Sequence, residues 1–184
     1  FQDKLISKEV QDIKAAIDYL SENFSFSQLV LVGHSTGAIN AALYSYTDAR
    51  VNKIILVGGT GDLRNGVRYE FTPEQVRDFW LKGFMTYKNP EKWYHNNRLN
   101  KAYYDEFFTL DVLGSLHKFR GPVLIIHGSK DEVLPFEKDP RDLFNAATRP
   151  KKLVIVKNAD HRFSQKRHFM KLLSNVNWFI RKKF

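Results

Sequence analysis

Residues Leu29–Ala38 read LVLVGHSTGA: an unbroken apolar run, a glycine, a polar tripeptide, then small residues. A nearly continuous apolar stretch over Gln28–Gly33 is what a strand buried on both faces requires. Beyond a turn at His34–Thr36, Ala38–Tyr46 reads as a helix. Ser35 therefore sits on a strand-to-helix turn, with Gly33 and Gly37 two residues to either side. On so sharp a turn, side chains at those flanking positions are expected to clash with strand and helix, which accounts for glycine there. The hydroxyl is left exposed above the strand end, aimed at a helix N-terminus whose dipole and free N–H groups favour developing negative charge.

Outward from this turn the same alternation continues. Ser7–Glu22 has Val10, Ile13, Ile17 and Leu20 on one helical face, with charges opposite. Val51–Val57, Pro122–His127 and Lys152–Val156 are further short apolar runs, each read as a buried strand. A helix is expected near Pro135–Ala147. Another is expected over Phe163–Lys183, with Phe169, Leu172, Leu173, Val176, Phe179 and Ile180 inward. Strands alternating with amphipathic helices predict an α/β fold, a parallel sheet flanked by helices. Residues 68–116 break the alternation: no strand is legible, aromatics are dense, and helix starts are expected at Thr72–Pro73 and at Asn89–Pro90. This reads as a helical insertion between the second and third strands. Residues 1–67 and 117–184 are then two parts of one core. A few of the insertion's rings are expected to face a ligand, and the rest to pack on one another.

A nucleophilic serine needs a base, and the base needs an orienting group. Asp131 follows the Pro122–His127 strand and His161 follows the Lys152–Val156 strand. In a parallel sheet both loops lie on the edge that carries Ser35. Of the neighbouring acids, Glu132 and Asp160 are rivals to Asp131, which is favoured by its place in a G-x-x-D turn. His34 is read as supporting rather than reacting, and His127 as a hydrogen-bonded packing residue. Gly58-Gly59-Thr60-Gly61 lacks the spacing of a phosphate loop and is read as the exit of the chain from the sheet.

LVLVGHSTGA, PVLIIHGSKDEVLP and VKNADHRFS are each similar to segments of the α/β-hydrolase superfamily: the nucleophile elbow, the acid loop and the histidine loop. The last two resemble small serine carboxylesterases of the feruloyl-esterase and monoacylglycerol-lipase type. The resemblance covers nearly the whole chain and corresponds to the C-terminal two-thirds of that fold. It implies an elbow of Gly33, His34 and Gly37 around a nucleophile Ser35, with His161 as general base and acid and Asp131 as its orienter. It further implies a Thr36 backbone donor in an oxyanion hole, and a cap formed by residues 68–116. No cofactor is implied, and the substrate class is a small-molecule ester. The family's second oxyanion donor lies in a loop after an early strand, and residues 1–27 hold none. A preceding segment or a complementing chain, paired alongside Gln28–Gly33, is therefore expected to complete the fold. Peptidase and thioesterase chemistry use the same three side chains, and a non-catalytic binding module of the same fold is the rival from another class.

Composition narrows the rest. The chain has 184 residues, 43% hydrophobic and 27% charged, enough for one domain with a substantial core. Without cysteine there is no disulfide, thiolate metal site or cysteine nucleophile. A reducing, cytoplasmic setting is expected, and no ligand spacing indicates a metal. No apolar run is long enough to span a bilayer. The net charge of +9 is concentrated in residues 148–184, where eleven Lys and Arg face Asp160 alone. It is read as a solvated helix face, since no nucleic-acid-binding motif accompanies it. Asn23-Phe24-Ser25 fits a glycosylation pattern that has consequence only in a secreted protein.

Overall fold

The computed structural model describes residues 1–184. Its strands in chain order are β1 (Leu29–His34), β2 (Val51–Val57), β3 (Phe84–Thr86), β4 (Arg98–Asn100), β5 (Val123–Gly128) and β6 (Lys151–Val156). Its helices are α1 (Ile6–Asn23), α2 (Thr36–Tyr44), α3 (Leu63–Glu70), α4 (Pro73–Lys82), α5 (Lys101–Thr109), α6 (Val112–Lys118), α7 (Asp139–Ala146) and α8 (Lys166–Arg181). The four long strands form one parallel sheet in the order β1-β2-β5-β6. Their carboxyl ends therefore share one edge.

The sheet has a deep side and a shallow side. Alternate residues of the central strands (Ile54, Leu56, Val123, Ile125) enter a 26-residue core with α1, α2, α6 and α7. The intervening residues (Ile55, Val57, Leu124, Ile126) enter an 8-residue core with Phe163 and Phe179. Helix α2 is apolar on almost every side and buried from Ala38 to Tyr44, as a helix inside a core must be. Within that run Asn40 donates to Glu9 of α1 at 2.8 Å, and the Tyr44 hydroxyl donates to Asp48. Lys53, a buried cation within β2, donates from Nζ to the carbonyls of Phe179, Ile180 and Lys182 at the C-terminus of α8. Lys151 does the same for Phe144 and Ala147 at the end of α7. Part of the basic excess thus caps helix ends, where a cation meets unpaired carbonyls, rather than coating a surface.

Four expectations need correction. Residues 84–86 and 98–100 form an antiparallel hairpin, whose three-residue strands are too short to leave a periodic signature. No helix begins at Asn89–Pro90: the Asn89 side chain accepts from Glu91 N–H at 3.0 Å, and its carbonyl accepts from Lys92 N–H. That turn satisfies the backbone locally, and the Tyr87–Asn96 and Tyr87–Asn97 bonds then fold the segment back into the hairpin. On α8, Phe169 and Leu173 are exposed, because the helix packs through Leu172, Val176, Phe179 and Ile180. Leu20 of α1 is likewise exposed near the helix end.

Helix α4 begins with the expected Thr72–Gln75 capping box and Pro73. Phe71, Phe79, Tyr104 and Phe107 stack largely edge-to-face beneath it. Strand β1 bounds the sheet, and Val32 on it is 54% exposed. No helix is long and apolar enough to cross a membrane.

Candidate active site

Ser35 lies between β1 and α2 with φ +57° and ψ −122°, a conformation that L-residues rarely adopt. Its N–H donates to Val57 O at 2.9 Å, and its carbonyl accepts from Ala38 N–H at 2.9 Å. The turn closes so tightly that a Cβ on Gly33 would stand 2.1 Å from the Gly37 carbonyl oxygen. Glycine is obligatory at Gly33. At Gly37 a Cβ would meet nothing within 4 Å, so the steric demand expected at both flanks falls on the first glycine alone. The N–H groups of Thr36 and Gly37 open α2 and have no acceptor inside the helix.

Asp131 and His161 come together from the loops after β5 and β6. His161 Nδ1 and Asp131 Oδ2 are 2.8 Å apart, with the aspartate side chain fully buried and the histidine nearly so. Asp131 Oδ1 accepts from the N–H groups of Val133 and Leu134 at 2.9 and 2.8 Å. Burial would raise the Asp131 pKa, but bonds from His127, His161, Leu134 and Val133 outweigh it and hold the carboxyl well below the usual range. The ionised Asp131 requires a proton on His161 Nδ1, which leaves Nε2 unprotonated.

The backbone of His161 is tethered as well. Its N–H donates to Glu132 Oε2 at 3.1 Å, and its carbonyl accepts from His34 Nε2 at 2.9 Å. The rings of His34 and His161 are 4.9 Å apart. Of the rival acids, Glu132 thus reaches the histidine's backbone rather than its ring. Asp160 accepts instead from Ser164 N–H at 2.8 Å, which closes the turn after His161. Gly58 was not legible as a site residue. At φ +54°, it is where a Cβ would come 3.3 Å from His161 Nδ1 and 3.6 Å from Asp131 Oδ2. Its place at the end of β2 was a signal, since that puts it on the same edge as the other loops.

Ser35 and Thr36 border an open cleft. Ile6, Ile39, Leu63, Tyr103, Phe107 and Leu134 supply most of its apolar wall. Tyr69, Tyr103 and Phe107 are the rings of the insertion that reach it. Thr60 also lines the cleft and donates to the buried Asp139 at 2.7 Å. No group of three or more His, Cys, Asp or Glu is arranged to hold a metal.

A parallel sheet with flanking helices, a serine elbow and a helical insertion between β2 and β5 define the α/β-hydrolase fold, which structural comparison shares throughout. Within it, the chain belongs to the prolyl oligopeptidase family, whose profile matches residues 1–184. It is 30% identical over 162 residues to the bifunctional esterase/perhydrolase DCH of Acinetobacter calcoaceticus, covering 68% of this chain and 56% of that protein. It is 23% identical over 182 residues to the mitochondrial palmitoyl-protein thioesterase ABHD10 of Bos taurus, covering 96% of this chain and 57% of that protein. The chain thus spans just over half the length of these curated relatives. Among solved structures, Est1E of Butyrivibrio proteoclasticus with ferulic acid bound superposes with a TM-score of 0.78 at 20% identity, covering 97% of this chain and 69% of that one.

Proposed function

We propose that this chain carries the reacting residues of a serine hydrolase that cleaves carboxylic esters through an acyl-enzyme. The observation that carries the reading is the 2.8 Å contact between His161 Nδ1 and a buried, ionised Asp131, on the sheet edge where Ser35 stands at positive φ. Nδ1 is engaged, so Nε2 is the ring nitrogen left to take the Ser35 proton as the hydroxyl oxygen attacks the ester carbonyl. Asp131 stabilises the resulting imidazolium. The N–H of Thr36 holds the oxyanion at the positive end of α2. His161 then protonates the leaving alcohol, and water repeats the sequence on the acyl-enzyme.

Residues 68–116 serve as the cap over the cleft. The apolar and aromatic wall favours an apolar or aryl acyl group on a small-molecule ester, in line with esterase and thioesterase relatives. A second oxyanion donor comes from polypeptide outside residues 1–184, paired beside β1. The position of β1 at the sheet boundary, with Val32 exposed, supports this completion.

The test is labelling of the intact protein by a fluorophosphonate probe, followed by a screen of aryl and alkyl esters of graded chain length beside thioester and amide analogues. The expected result is modification at Ser35, hydrolysis of esters, and a loss on the order of 10⁶-fold in kcat for Ser35→Ala with folding retained. A folded, intact protein that neither labels nor hydrolyses any ester overturns the reading in favour of a binding module.

A further inference from the structure

His127 is fully buried near the end of β5, in a strand whose preceding residues, Val123–Ile126, are all apolar. Its Nε2 lies 3.2 Å from Asp131 Oδ2 and 3.2 Å from the Leu134 carbonyl oxygen. Both oxygens are acceptors, so Nε2 carries the proton and Nδ1 is bare. Nδ1 is also buried, and it has no hydrogen-bond partner. A residue present only to fill space would not take this form. An unsatisfied buried acceptor opposes folding, and an aliphatic side chain of similar volume would fill the site without one. What the histidine adds is its Nε2–H, shared between Asp131 Oδ2 and the Leu134 carbonyl.

We infer that His127 is a positioning residue for the proposed ester hydrolysis, a second imidazole donor on the Asp131 oxygen that orients His161. The inference rests on the reading that Ser35, His161 and Asp131 act together. With His127 in place, Oδ1 accepts from Val133 and Leu134, and Oδ2 meets His161 at 2.8 Å and a share of the His127 Nε2–H at 3.2 Å. These donors restrain the carboxylate plane and keep Oδ2 aimed at His161 Nδ1. The second donor also draws negative charge from Oδ2. This moderates the pull of Asp131 on the imidazolium that forms in the proposed reaction. The other ionisable groups around the pair keep their places: Glu132 on the His161 N–H, His34 against its ring, and Asp139 of α7 held by Thr60.

The experiment compares His127→Gln with His127→Met in the intact protein. The two side chains are nearly equal in length, and only glutamine keeps a terminal donor. In His127→Met, kcat should fall about 10- to 100-fold with KM changed less than about threefold. The acid-side midpoint of its kcat/KM profile should rise by about half to one pH unit. His127→Gln should keep the unsubstituted midpoint and most of kcat. A folded His127→Met protein with unchanged kcat and midpoint overturns the inference, as does an identical loss in both variants. Should His127→Met fail to fold, imidazole ¹⁵N NMR of the unsubstituted protein decides. His127 protonated at Nε2 alone and His161 at Nδ1 support the assignment, and a proton on His127 Nδ1 at neutral pH overturns it. If the ester reading itself fails, Ser35 will not label, while the NMR measurement still reports on His127.

Discussion

Ser35 and His161 stand on the same edge of one sheet, but different physics holds them there. Ser35 is fixed by main-chain geometry: a positive φ, a backbone bond to Val57, and a turn so close that no side chain fits at Gly33. No charged group takes part, and the helix behind it is buried in the deeper core. His161 is fixed by side chains, namely Asp131 on its ring, Glu132 on its N–H and His34 on its carbonyl, in the loop before the shallow-side helix α8. A steric clamp is indifferent to pH but tolerates no added methyl group. A polar clamp depends on ionisation instead.

The largest blow to the polar half is Asp131→Asn, expected to lower kcat on the order of 10⁴-fold by leaving His161 in the wrong tautomer. The same variant tests the pH claim. Because the folded Asp131 pKa lies below its unfolded value, its stabilisation is complete above about pH 5 and is lost as the pH falls from there. Denaturant melts from pH 7 to 3 should show a steeper acid loss in the unsubstituted protein than in Asp131→Asn. Equal slopes would mean that Asp131 is not held as an ion.

Gly33→Ala strikes the steric half. The added Cβ, 2.1 Å from the Gly37 carbonyl, should destabilise the fold by about 1–3 kcal/mol at every pH. A melting temperature that is unchanged, or lowered only in acid, would erase the distinction between the halves. The smallest effect expected is from Lys53→Met, which removes three bonds to the end of α8 together with the burden of a buried cation. Net stability should shift by about 1 kcal/mol or less. Amide exchange should quicken over Phe179–Lys182 and stay unchanged in α2; equal quickening in both helices would show that the two sides are not independent.

Strand positions were readable because an apolar run bounded by glycine or a charge is a local signal. Val51–Val57 matches residue for residue, and the other three long strands agree within a residue or two at their ends. The capping box at Thr72 was readable for the same reason. The β3–β4 hairpin was not, since three residues give no period. Phe169 and Leu173 obey helical spacing as well as Phe179 does, yet the sheet offers a surface to only part of that stripe. At the candidate site, Ser35, Asp131 and His161 could each be placed from loop position on the edge the parallel sheet shares, and the contact between Asp131 and His161 came only with the fold. His34 and Glu132 lie 127 and 29 residues from the His161 backbone they hold, beyond any local pattern.

The sequence by itself determined the strand–turn–helix units and which residue type stands at each strand end, because hydrophobic period and turn chemistry act over a few residues. Tertiary structure alone decided that the Asp131 carboxylate is shared by two imidazoles, that Gly58 must stay small beneath His161, and that Lys53 caps a distant helix. Those are contacts between strands far apart in the chain. They exist only after parallel pairing has brought four strand ends to one edge and their opposite ends to the other.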